Sequence, residues 1–160
     1  MPFYILLLSP EVDYTMIMPD FKDFPRVGRI IGFDWGARRT GVAISDEKRD
    51  FTFARPPIVG GDMAKQMADL AVAERVVGIV VGLPLRTDGT ESETTKMVRE
   101  VAGQIAKYTD LPICFIDETL TSSSASEESK LRTVKEVKEK LDSESARIIL
   151  ENAIAVINRL

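Results

Sequence analysis

The run Arg29-Ile30-Ile31-Gly32-Phe33-Asp34-Trp35-Gly36-Ala37-Arg38-Arg39-Thr40-Gly41-Val42-Ala43-Ile44-Ser45 decides the fold. Residues 29–35 are short and apolar with Gly32 inside, residues 40–45 form a second such run, and Gly36-Ala37-Arg38-Arg39 separates them. Two strands joined by a tight connection, an antiparallel hairpin, are the natural reading. Gly36 and Gly41 permit the turn, because a residue without a β-carbon accepts backbone angles that others resist. Residues 50–54 add a third strand, which Pro56-Pro57 would end.

Downstream the periodicity changes. Met63, Met67, Leu70 and Ala71 recur at helical spacing after Asp62, a suitable N-cap. The β-branched run from Val76 to Val81, closed by Gly82 and Pro84, reads as a buried strand. Thr90 followed by Glu93 has the form of a capping box, with Met97, Val98, Val101 and Ile105 as the helical stripe behind it. Pro112 ends that phase, and Ile113 to Ile116 is another short buried strand. The charged segment from Lys130 to Lys140 reads as a solvated helix or a mobile loop. A final helix starts near Asp142, with Ala146, Ile149, Leu150, Ala153 and Ile157 on one face. Hairpin, third strand, helix, strand, helix, strand and helices make an α/β protein, a mixed β-sheet flanked by α-helices. That order is compatible with a ribonuclease H-like arrangement.

Composition narrows the chemistry. The chain has 160 residues, no histidine and one cysteine. Without imidazole, Ser-His-Asp and Cys-His sites are excluded, as are zinc sites that need histidine or several thiolates. With 25 acidic residues, carboxylates holding hard cations such as Mg²⁺ are the chemistry least affected. The length suits one domain, and 44% hydrophobic with 29% charged residues is ordinary for a globular protein. Cys114, between Ile113 and Phe115, reads as a core residue with no disulfide partner. With no demand for an oxidising compartment, the cytoplasm is the expected location.

The apolar run from Phe3 to Leu8 is too short to span a bilayer. Translation starting at Met16 or Met18 is an alternative reading of the residues before them. A net charge of −4 argues against indiscriminate nucleic-acid binding. It leaves room for a local basic face built from Arg38 with Arg39, Lys48 with Arg49, or Lys96 with Arg99.

Three acids stand at the ends of expected elements. Alternation along the first strand puts Ile30, Gly32 and Asp34 on one face, where an ionised carboxylate is costly unless paired or bound to a cation. A turn aspartate preparing the Gly36 bend is the competing reading. Glu118 follows Asp117 at the end of a buried strand, and only one of that pair can share a face with Asp34. A solvated turn pair is the alternative there. Asp142 lies four residues before Ala146 on the apolar face of the last helix, and a simple N-cap also accounts for it.

In order and spacing, Gly32-Phe33-Asp34-Trp35-Gly36, Arg39 through Asp46, Val80-Val81-Gly82-Leu83-Pro84, Asp88-Gly89-Thr90, Asp117-Glu118-Thr119-Leu120-Thr121 and Asp142 through Leu150 resemble the YqgF/RuvX family. Its members are described as candidate Holliday junction resolvases and as candidate nucleases that mature the 5′ end of pre-16S ribosomal RNA. The resemblance implies a ribonuclease H-like domain over residues 29–160 after an N-terminal extension, residues 1–28. It also implies a phosphodiesterase site using Mg²⁺ or Mn²⁺, with Asp34, Glu118 and Asp142 as catalytic metal ligands. Arg38, Arg39 and Arg86 would contact nucleic-acid phosphates. Thr119 stands where the family usually has Arg, Trp35 where a smaller aliphatic residue is usual, Arg86 where Asn is common, and Ser145 in place of Ala.

The expected substrate is structured nucleic acid, pre-rRNA ahead of branched DNA. Pre-ribosomal particles are candidate partners, no membrane is involved, and the chain is a monomer or a homodimer. Three other readings stay open: a Holliday junction resolvase in DNA repair; a non-catalytic nucleic-acid-binding module, which Thr119 motivates; and an actin-like ATP-binding protein, suggested by Asp34-Trp35-Gly36 and Gly41 in a chain short for two lobes.

Overall fold

The computed structural model describes residues 16–118 and 134–160, with the side chains of residues 134–140 and of Asp142 outside that description. Strands β1 (Ile17–Met18), β2 (Ile30–Asp34), β3 (Arg39–Ser45), β4 (Thr52–Val59), β5 (Gly78–Leu83) and β6 (Ile113–Asp117) form one six-stranded sheet in the order β1-β6-β5-β2-β3-β4. The pairs β2–β3 and β3–β4 are antiparallel, whereas β2–β5, β5–β6 and β6–β1 are parallel. Helices α1 (Met63–Ala73), α2 (Glu93–Ile105) and α3 (Val134–Asn158) cover the sheet. The expected α/β architecture is therefore present.

Alternation along the central strands feeds two cores. Ile31, Phe33, Val42, Ile79, Val81 and Ile113 pack with Met67 and Ala71 of α1 and Val98, Ala102 and Ile105 of α2. Ile30, Ala43, Val80 and Cys114 pack on the other side with Ala146, Ile149, Leu150 and Ala153 of α3. Strands β2 and β5, covered on both faces, need apolar residues at successive positions, hence their unbroken hydrophobic runs. Cys114 is fully buried, and burial pushes its thiol up to about 12, as suits a packing residue rather than a reactive one.

Three boundaries differ from the sequence reading. Strand β4 runs through Pro56-Pro57 to Val59, because it is an edge strand and its pairing with β3 shifts register at the two prolines, so neither has to donate to the ladder. The cap of α2 is Ser92, whose hydroxyl accepts from the Thr95 N–H while the Thr95 hydroxyl accepts from the Ser92 N–H. Thr90 and Glu93 do not form that box. Helix α3 begins at Val134, so Asp142 is an interior residue and not an N-cap. Its early turns are too charged to show an apolar stripe in sequence.

The sheet and core also draw on residues before Arg29. Ile17 and Met18 pair with Ile113 and Cys114. Phe21 and Phe24 meet edge to face with centroids 5.3 Å apart, and both are buried in the α3-side core. The Phe24 ring fills the space over Gly78, where any β-carbon would overlap it. Phe24→Ala should accordingly lower the unfolding free energy by about 3–5 kcal/mol in urea titration. Phe51→Ala, at a residue 66% exposed, should change it by less than about 0.5 kcal/mol. Equal effects would show that residues 17–24 do not belong to the cooperative core.

Candidate active site

Asp34 and Glu118 stand at the C-terminal ends of β2 and β6, with β5 between them. Adjacent strands lie about 4.8 Å apart, so the two backbones are separated by roughly twice that distance. Gly82 of β5 lets the side chains meet across the gap. The register Gly32↔Val80, Phe33↔Val81, continued by one, brings Asp34 level with Gly82. A β-carbon on Gly82 would sit 2.5 Å from Glu118 Oε2 and 2.5 Å from Ile149 Cδ1. The Glu118 carboxyl thus occupies the space a side chain at 82 would take, and it is hydrogen-bonded to Asp34.

The backbone holds Glu118 in place as well. Its N–H donates to the Leu83 carbonyl at 3.2 Å, extending the β5–β6 ladder one residue past the strand. Alternation then puts Glu118 on the α3 side with Cys114 and Ile116, and Asp117 on the opposite side, exposed. Of the Asp-Glu pair, Glu118 is the one that shares a face with Asp34. Burial pushes the Glu118 carboxyl above its ordinary range; the Asp34 hydrogen bond opposes this and the Asp117 charge adds to it. Two partly buried carboxyls in contact favour a proton or a cation between them.

Helix α3 crosses this pair closely because Gly32 has no side chain: a β-carbon there would lie 3.0 Å from Leu150 Cβ and 3.2 Å from the Ala146 carbonyl. The Ser143 hydroxyl, buried, donates to the Arg55 carbonyl at 3.0 Å and pins the helix over β4. Position 142 is therefore on a helical turn fixed immediately before Ala146, while the Asp142 side chain lies outside the described residues. So does Thr119. Among the described residues no group of three acidic, histidine or cysteine side chains gathers as a cation site. The described part of the site is the Asp34–Glu118 pair.

The expected phosphate contacts differ in setting. Arg38 is exposed on the bend between β2 and β3, and Arg39 is half-buried as the first residue of β3. Arg86 is exposed on a tight hairpin that leaves the end of β5, with Leu85 bridged to Glu91 and the Arg86 N–H donating to the Thr90 carbonyl at 2.9 Å. Asp88 shapes its tip, accepting from the Thr90 N–H at 3.0 Å and the Thr90 hydroxyl at 2.6 Å. These bonds hold the Asp88 carboxyl below its ordinary range. The acid pair and the hairpin all lie beyond the carboxyl ends of parallel strands, where open α/β sheets bind ligands.

Two residues escaped the sequence reading. Thr95 is fully buried on α2 and its hydroxyl donates to the Pro84 carbonyl; a polar residue on the Val98–Ala102 stripe was the available signal. Arg99, offered with Lys96 as part of a basic face, has a side chain 16% exposed and bonds Glu91 at 2.5 Å. No spacing rule links those two positions. Lys96 does sit in solvent, in an exposed pair with Glu93.

A family model described as "RuvX: Holliday junction resolvase" matches residues 28–155. The chain belongs to the RuvX family. A relative from Rhodobacter capsulatus is 38% identical over 149 residues, covering 87% of this chain and 93% of that protein. One from Maridesulfovibrio salexigens is 36% identical over 132 residues, covering 79% of this chain and 98% of the relative. Both carry the name "Putative pre-16S rRNA nuclease". Among solved structures, T. thermophilus RuvC in complex with a Holliday junction substrate superposes with a TM-score of 0.53 at 11% identity, covering 82% of this chain and 96% of that one. That likeness shows the fold, which is ribonuclease H-like. No described helix of this RuvX protein is long and apolar enough to cross a membrane.

The acid pair has a pH signature in this RuvX chain. A carboxyl whose pKa is raised on folding contributes stability below its unfolded value, near 4.3, and loses it as pH rises through the folded value. Glu118→Gln removes that loss. In chelator, the melting temperature of Glu118→Gln minus that of wild type should grow from pH 4 to pH 8. A difference that is flat or falling with pH would show that Glu118 is not strained by burial.

Proposed function

We propose that this RuvX protein is a divalent-metal-dependent nuclease that hydrolyses phosphodiester bonds in structured nucleic acid, with 5′-end maturation of pre-16S rRNA as its task. The observation that carries the reading is the Asp34–Glu118 contact over Gly82, two carboxyls brought together by folding, one of them held above its ordinary range by burial. Catalytic sites concentrate groups whose protonation is perturbed in this way, at a cost to stability.

The donors fit the implied metal. They are oxygens only, hard ligands that suit Mg²⁺ or Mn²⁺ and not softer ions, in a chain without histidine. Asp34, Glu118 and Asp142 would hold the ions. When bound, such ions lower the pKa of an attacking water and stabilise charge on the leaving oxygen, so no imidazole base is needed. The chain's own residues supply position. Gly82 and the Leu83 carbonyl fix Glu118, β2 fixes Asp34, and α3 carries residue 142 one turn before Ala146, which packs over Gly32. Arg38, Arg39 and Arg86 would orient the backbone phosphates on either side of the scissile bond, and their donor geometry suits phosphate oxygens.

The names carried by the relatives favour RNA, and the description of the family model motivates a four-way DNA junction as the alternative substrate. One assay separates them. The purified chain is incubated with a precursor 16S 5′ end and with a four-way junction, each in Mn²⁺ and in chelator. Cleavage of the RNA in Mn²⁺ alone is expected. Asp34→Asn should slow it by about a hundredfold or more, the loss of several kcal/mol of transition-state stabilisation. Cleavage that survives Asp34→Asn would refute the site, and cutting of the junction alone would transfer the activity to DNA. Binding of the RNA without turnover in either metal would leave a non-catalytic module.

A further inference from the structure

The hairpin that carries Arg86 is fastened to the protein by more bonds than a surface loop needs. Its base is held by the Thr95 hydroxyl on the Pro84 carbonyl, its return strand by the Leu85–Glu91 bridge, and its exit by the Ser92–Thr95 capping box. Arg99 adds a different kind of link. Its Nε meets Glu91 at 2.5 Å, and its guanidinium lies 5.3 Å from the centroid of Phe115. Phe115 belongs to β6 and stands three residues before Glu118. One side chain of α2 therefore ties the hairpin's return strand to the strand that delivers Glu118.

A net stability gain does not account for this arrangement. The Arg99 side chain is 16% exposed and that of Glu91 35%, and an ion pair of that kind adds little net stability, because the gain in attraction is offset by desolvation of the arginine and screening of the glutamate. A planar guanidinium stacked on a ring does fix orientation, which a lysine ammonium or an apolar chain would leave loose. The hairpin also starts close to the acids: Arg86 is four residues beyond Gly82, so its backbone is at most about 14 Å from the glycine on which Glu118 rests.

We propose that Arg99 is a positioning residue that locks the 85–91 hairpin against β6, so that Arg86 meets a substrate phosphate at a fixed distance from the Asp34–Glu118 pair. The inference rests on the nuclease reading above and adds to it the residue that sets the phosphate grip. Arg99 itself touches no substrate. It acts through Glu91 and Phe115, and its removal frees Arg86 without removing any proposed metal ligand.

The test is a double-mutant cycle on the full chain with the precursor RNA and Mn²⁺, using wild type, Arg86→Ala, Arg99→Met and the double variant. Arg86→Ala should raise KM about tenfold, the loss of one charge-assisted contact. Arg99→Met should produce most of that rise alone, with kcat within about threefold of wild type, and Arg86→Ala should then add less than about twofold. Arg99→Lys should recover only part of the affinity, since it keeps the charge and loses the stacked plane. Hydrogen exchange supplies a readout independent of activity: the Arg86 and Gly89 amides should lose protection in Arg99→Met while the amides of α2 keep theirs. Multiplying KM effects, or an unchanged KM in Arg99→Met, would overturn the proposal. If wild type binds the RNA without cutting it, the nuclease reading fails, and the same cycle measured as RNA affinity still decides the role of Arg99. Loss of α2 protection in both Arg99 variants would show a purely structural residue.

Discussion

Everything at the functional end of this molecule depends on an empty position. Strand β5 separates the strands that carry Asp34 and Glu118, and the two carboxyls touch because Gly82 leaves the gap between them open. A β-carbon there would strike the ends of the Glu118 and Ile149 side chains together, so both would have to shift from their places. The glycine is required by close approach and not by backbone angle, and it lies within a regular buried strand, one residue from its end.

The rest of the fold can be understood as support for that contact. Parallel β2, β5 and β6 bring their carboxyl ends to one edge, and antiparallel β3 and β4 widen the sheet so that α3 has a surface to lie on. Ser143 on the Arg55 carbonyl and Thr52 on Glu151 tie the helix to the edge strand. Gly32 lets the helix approach β2 closely. The hydrophobic cores on the two faces supply the energy that holds the Glu118 carboxyl beside Asp34 in a setting where burial raises the cost of ionising it. Such a pair is destabilising by itself, and its persistence in a well-packed region is the physical basis for reading it as a site.

Much of this was legible before the structure. Ile30 through Asp34 and Thr40 through Ser45 read as a hairpin because two short apolar runs are separated by Gly36-Ala37-Arg38-Arg39, and both fall in paired strands. Strand parity said that only one of Asp117 and Glu118 can share a face with Asp34; the choice of Glu118 came with the family resemblance, and the meeting of the two strands' acids across β5 came only with the sheet order. What escaped has local causes. Strand β1 is two residues long and leaves no periodic trace. The prolines of β4 mark an edge and were read as an end. The start of α3 is hidden by its charged residues, so Asp142 resembled a cap. Arg99 and Glu91 meet only through tertiary folding, and a helical arginine flanked by other charges gives no sign of burial.

The absence of histidine acquires a definite meaning in this setting. A site built from oxygen donors alone loses nothing by it, provided that a cation takes the place between Asp34 and Glu118 that a proton must otherwise fill. The most direct measurement is anomalous diffraction from crystals of the wild-type chain grown in Mn²⁺. A peak within about 2.2 Å of carboxylate oxygens of both Asp34 and Glu118 is the predicted result, that being the usual distance for a small hard cation. Density showing the two carboxyls still hydrogen-bonded to each other, with manganese absent from between them at saturating concentration, would contradict the account.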